Sequence, residues 1–154
     1  MWISWTQRPE SRVPTTHLQN LHNIVLLYGM ELLLPFSKPL EQLELFQKRI
    51  LKQMLSLPMS CPDPAVYILT GILPIEAQIH IKALTFFNNI CHQGEKNTEK
   101  KLARRQLTVK EESSNSWFIC VNKILRKYDL KEAYNYLDNP IKKSRWIVGE
   151  IKSE

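Results

Sequence analysis

Nine prolines against four glycines set the frame of this sequence. Proline lacks a backbone N–H and disrupts helix interiors, yet it suits the first turn of a helix. Here the apolar segments lie between prolines rather than across them. Pro14 and Pro35 bracket Leu18, Leu21, Val25 and Tyr28, which fall at helical spacing with Ile24 beside Val25. Thr15 or Thr16 is a candidate cap for that helix, and Gly29 loosens or ends it. Ser37 and Pro39 mark the start of a second helix, and Pro58 stops it. Its predicted stripe is Leu40, Leu43, Phe46, Ile50, Met54 and Leu57. Glu41 and Glu44 lie near its positive end, with Lys48, Arg49 and Lys52 nearer its negative end.

The same punctuation continues. Asp63, Pro64 and Gly71 frame a short helix as cap, first residue and left-handed stop. Pro74 and Glu76 open a longer one, which carries Ile79, Ala83, Phe86, Phe87 and Ile90 toward one side and ends at Gly94. Residues 95–116 lose apolar content and gather lysine and arginine, so they read as a partly helical, exposed basic and polar connection. Ser116 then caps a helix bearing Trp117, Val121, Ile124, Leu125 and Tyr128. Asp129 and Glu132 have capping-box spacing ahead of Leu130, Ala133, Tyr134 and Leu137. Asn139-Pro140 starts a last helix with Trp146, which meets no stop signal and implies truncation.

No segment alternates as a strand would, and no repeat recurs at a solenoid period. The expected fold class is all-α, an irregular bundle of about five to seven short helices with incomplete packing. The chain divides into an irregular leader (1–16), a helical region (17–94), the basic connection (95–116) and a C-terminal helical extension (117–154). At 154 residues and 44% hydrophobic, it can bury one core and is not a disordered composition.

Cys61, Cys91 and Cys120 are odd in number and far apart, which predicts free thiols and an intracellular setting, cytoplasm or nucleus. Met1 to Glu10 has no apolar signal core, and the run from Ile24 to Leu34 is too short to span a bilayer. Membrane association is therefore not expected.

Catalytic patterns are missing. Cys91 and His92 are adjacent, and helical neighbours point about 100° apart, so they do not form a metal pair. There is no HExxH or paired-cysteine spacing, no GxSxG, no glycine-rich phosphate loop and no Asp-Asp pair. No cofactor and no metal are expected. An enzyme would need a pocket that gathers His80, Cys91 or the Glu111-Glu112 pair. Cys61, between Ser60 and Pro62, would be reactive only in an electropositive setting.

Basic clusters remain. The formal net charge is +6, which suits an acidic partner as readily as a merely solvated lysine-rich surface. Lys100, Lys101, Arg104 and Arg105 share a helical face by i,i+4 spacing, a stripe able to follow phosphates. Lys142, Lys143 and Arg145 lie beside Trp146, and charge beside an aromatic can hold single strands. A tryptophan in an amphipathic helix is nevertheless more often core.

Three stretches carry a resemblance: Leu26-Leu-Tyr-Gly-Met-Glu31, the run from Leu43 to Pro58, and Ala65-Val-Tyr-Ile-Leu-Thr-Gly-Ile-Leu-Pro-Ile-Glu-Ala77. With Arg105-Gln-Leu, Ser116-Trp-Phe, Ile124-Leu-Arg-Lys-Tyr128 and Pro140-Ile-Lys-Lys-Ser-Arg-Trp146, they are similar to the helical region after the polymerase core in non-LTR (LINE-type, Jockey-like) retrotransposon reverse transcriptases. The likeness runs from about residue 17 onward, and Ile24-Val25 stands where that family usually has Pro-Arg. It implies a thumb-like region over 17–94 that packs along an RNA/DNA duplex or supports a polymerase palm domain. The family's catalytic aspartates belong upstream, in a Tyr/Phe-Ala-Asp-Asp turn this sequence lacks. The expectation is a non-catalytic reverse-transcriptase fragment. The alternative is a small helical protein-interaction module with no nucleic-acid role. Apolar stripes built for a missing domain would also favour self-association.

Overall fold

The computed structural model describes residues 27–142. Within them the protein is all-α: a 3-10 turn (Met30–Leu33) and six helices, α1 (Ser37–Met54), α2 (Asp63–Thr70), α3 (Ile75–Cys91), α4 (Thr98–Val109), α5 (Trp117–Lys127) and α6 (Ala133–Asp138). The proline and glycine punctuation fixes several boundaries. Pro64 sits in the first turn of α2, and Gly71 ends it at φ 65°, where a Cβ would be strained. Pro74 takes the cap position of α3. That helix stops at Cys91, before Gly94. Ser116 stands in the cap position of α5, but its hydroxyl bonds the Gln106 side chain instead of the helix backbone.

α3 is the axis of the fold. Its buried residues wrap much of its circumference, as a central helix requires. The N-terminal half packs Ile75 and Ile79 against Leu27, Met30, Leu34, Leu40 and Leu43. The C-terminal half packs Leu84, Phe87, Ile90 and Cys91 into the larger core with Ala103, Phe118, Val121, Leu125 and Leu137. α4, α5 and α6 close around that second half. Trp117 ties the start of α5 to the 3-10 turn. Its indole N–H donates to the Glu31 carbonyl at 2.7 Å, and its ring meets Phe86 and Phe118 edge-on.

Two sequence expectations are revised. The buried residues of α1 are Gln47, Leu51 and Lys52, with Leu40 and Leu43 packed beside them, while Phe46 and Met54 of the expected stripe are exposed. Gln47 replaces an apolar residue at the centre of the face because it stitches α1 to the α2–α3 turn. Its amide N–H donates to the Leu73 carbonyl (3.1 Å), and its oxygen accepts from the Ile75 N–H (2.9 Å) and the Tyr67 hydroxyl (3.4 Å). Lys52 is buried through its apolar stem and ends on Asp63 (2.9 Å) and the Met59 carbonyl (3.0 Å), which pins the loop between α1 and α2.

The second revision concerns residues 95–116. They are more than an exposed connection, because α4 occupies most of them and Ala103 lies in the larger core. The small Ala103 side chain permits close approach, and acidic partners neutralise the basic residues on the inner side. The expected first helix from Leu18 lies outside the described residues except for its end, where Leu27 is buried and Tyr28 is 87% exposed. Residues 140–142 are not helical, and the remainder of the expected last helix lies outside the described residues.

Candidate nucleic-acid interface

Helix α4 forms because Thr98-Glu-Lys-Lys-Leu-Ala-Arg-Arg-Gln-Leu107 consists mainly of strong helix formers with an acidic residue in its first turn. Its inner face is set by Ala103 and Leu107. Lys100 shares that face and is 7% exposed. Its ammonium reaches the Glu95 carboxylate at 2.8 Å and the Gln93 carbonyl at 3.4 Å. The Lys100 ammonium beside it, joined by Arg104, holds the Glu95 carboxyl below its usual range.

Arg104 is equally engaged. Its guanidinium meets Glu95 at 3.4 Å and Asp138 of α6 at 3.0 Å, with the Tyr134 ring centroid 5.6 Å away. Both edges and one face of the fork are thus used to join α4 to α6. The four-residue basic stripe therefore splits. Lys100 and Arg104 act inside the fold. Lys101 and Arg105, also an i,i+4 pair, are exposed and form no ion pair within the described residues. Lys142 is exposed, while Lys143 and Arg145 lie outside the described residues. Of the four basic residues on α4, the Lys101–Arg105 pair is the one left without an ion pair among the described residues.

Glu95 and Asp138 are the residues that sequence reasoning missed. Glu95 precedes α4 in a loop, so no helical register pairs it with Lys100 or Arg104. Asp138 lies on another helix. Only the fold brings either to the basic cluster.

Trp117, whose indole is tied to Glu31 and packed on two phenyl rings, is not free to stack on bases. Trp146, the aromatic of the second basic cluster, lies outside the described residues.

The groups that a catalytic pocket would need are apart. His80 and Cys91 are both buried on α3 and separated by three helical turns, about 16 Å. Glu111 is exposed, and Glu112 is engaged by Arg126 on the surface. Among the described residues no three His, Cys, Asp or Glu side chains gather in a way that could hold a metal ion. No single helix among them is long and apolar enough to cross a membrane.

The three thiols differ in setting. Burial pushes the Cys91 thiol up to about 12 and also raises that of Cys120, whereas Cys61 lies half-buried in the loop before α2. Thiolate is the reacting form, so a maleimide at pH 7.5 should label Cys61 well before Cys120 and spare Cys91 until the protein unfolds. Peptide mapping of the labelled chain checks this order. Cys91 labelling at native-state rates would contradict its burial.

Comparison with protein-family models, curated proteins and solved structures finds no match to this chain.

Proposed function

We propose that this chain is a non-catalytic, thumb-like fragment of a retroelement reverse transcriptase that contacts the backbone of an RNA/DNA duplex through α4. The observation that carries the nucleic-acid part is the exposed Lys101–Arg105 step, which forms no ion pair among the described residues. The resemblance supplies the family. It is consistent with the packing, since residues that carry it touch each other. Gln47 of the second motif binds Tyr67, Leu73 and Ile75 of the third. Glu31 of the first accepts from Trp117 of the Ser116-Trp-Phe motif.

Phosphate contact predicts a salt-dependent and sequence-independent affinity. An RNA–DNA duplex titrated at increasing salt should show affinity falling steeply. Lys101→Glu with Arg105→Glu should weaken binding at least tenfold at low salt. Neutral versions, Lys101→Gln with Arg105→Gln, should make the salt slope shallower by about two, roughly 0.9 per lost phosphate contact. Absence of binding even at low salt removes the nucleic-acid role and leaves the fragment assignment standing on the resemblance.

A second reading, a helical protein-interaction module, has its own observation. The α1–α2 side exposes large apolar residues, among them Leu45 (65%), Ile68 (81%), Leu69 and Leu73. Such surface fits a face meant to be covered, by a palm-like domain or by another copy of this chain. Concentration-dependent association that disappears in Leu45→Gln with Ile68→Gln, together with no duplex binding, would favour this reading.

A further inference from the structure

His80 lies in the N-terminal half of α3 and is 6% exposed. Its Nδ1 is 2.9 Å from the Tyr128 hydroxyl at the end of α5, and the two rings meet edge-on at 5.7 Å. Its Nε2 faces the Glu76 carboxylate at 3.8 Å, one turn earlier on α3. Glu76 in turn holds Lys127 of α5 at 2.6 Å. A carboxylate can only accept, so it favours the tautomer with the proton on Nε2. Nδ1 is then the acceptor, and Tyr128 donates to it.

Adding a proton to this ring forces a rearrangement. Nδ1 becomes a donor, so the Tyr128 hydroxyl must turn to accept from it. The new cation sits in a buried site beside Lys127, with Glu76 shared between them. We propose that His80 is a proton-operated latch between α3 and α5, closed with Tyr128 donating to a neutral ring and loosened when protonation reverses that bond.

Among the described residues, the charged groups that bear on the ring are Glu76 from its own helix and Lys127 from α5. Lys127 is itself influenced by Glu44 of α1. Burial, the largest effect, and then Lys127 hold the imidazole below its ordinary value of 6.5, while Glu76 opposes them. The folded state therefore favours the neutral ring. Its stabilising contribution is present above the ordinary histidine range and is lost as pH falls from about 6.5 through the lowered folded value. Glu76, held below its ordinary 4.5 by Lys127, loses its own contribution as pH falls from about 4.5 through its lowered folded value.

The test is a ring-nitrogen NMR titration of the full chain between pH 7.5 and 5, with Tyr128 ring signals followed alongside. We expect the Nε2-protonated tautomer at pH 7.5, and Tyr128 signals that move with the His80 midpoint. Glu76 and Lys127 are both half-exposed, so changing them leaves the core intact. Lys127→Met should raise the midpoint, because it removes a repelling charge and frees Glu76 for the ring. Glu76→Gln should lower it. His80→Gln should flatten the fall in urea midpoint between pH 7 and 5.5. Tyr128 signals that stay fixed while His80 titrates would overturn the latch. So would an Nδ1-protonated tautomer at pH 7.5, or midpoint shifts of the opposite sign in the two surface variants.

Discussion

Gln47→Ala should destabilise the fold by about 3 kcal/mol, because burying unpaired partners costs more than losing a bond at the surface. The substitution removes all three hydrogen bonds to Leu73, Ile75 and Tyr67. Ile75 is fully buried at the start of α3, so its N–H loses a partner without gaining open water. A loss of this size lowers the folded-to-unfolded ratio by about two orders of magnitude. Urea unfolding would register it as a lower midpoint with an unchanged slope. Gln47→Glu separates the polar requirement from simple volume. An ionised glutamate can accept from Ile75 and Tyr67 but cannot donate to the Leu73 carbonyl. It should therefore destabilise at pH 7 and recover part of the loss as acid restores a donor. Equal stability of Gln47→Ala and the parent protein would mean that the α2–α3 turn is held by other contacts.

Phe87→Ala should cost about 4 kcal/mol, the largest effect expected from any single truncation here. Phe87 has no exposed surface and meets Phe118 edge-on at 6.4 Å. It touches the part of the core that α3, α4, α5 and α6 all enter, so the cavity cannot collapse by moving one helix. Phe87→Leu should lose far less, since most of the volume survives. The neighbouring Phe86 is 43% exposed and packs on Trp117, so Phe86→Ala should cost well under half as much. Thermal unfolding of the three variants would rank them. A Phe86→Ala loss equal to that of Phe87→Ala would show the core to lie elsewhere.

The contrast between those adjacent phenylalanines shows how far sequence reading reaches. Spacing placed both on one side of α3, because apolar periodicity defines an arc without saying which edge of it meets another helix. The same limit applies to α1. Phe46 and Met54 continue an apolar stripe, yet the packed centre of the face is Gln47, whose worth comes from partners on α2 and α3. At the candidate interface, i,i+4 spacing correctly placed Lys101 with Arg105 and Lys100 with Arg104 in a helix. It could not show that Glu95 and Asp138 engage the second pair in ion pairs within the fold.

What the sequence by itself determined is the all-helical class and several helix boundaries. Proline and glycine act through the backbone of one residue, so Pro64, Gly71 and Pro74 have their effect wherever the chain later packs. The tertiary structure alone decided which faces are buried and which cations are held in ion pairs. Those outcomes depend on side chains that meet across large sequence separations: Gln47 with Ile75, Trp117 with Glu31, Arg104 with Asp138. No local rule contains the distance between them.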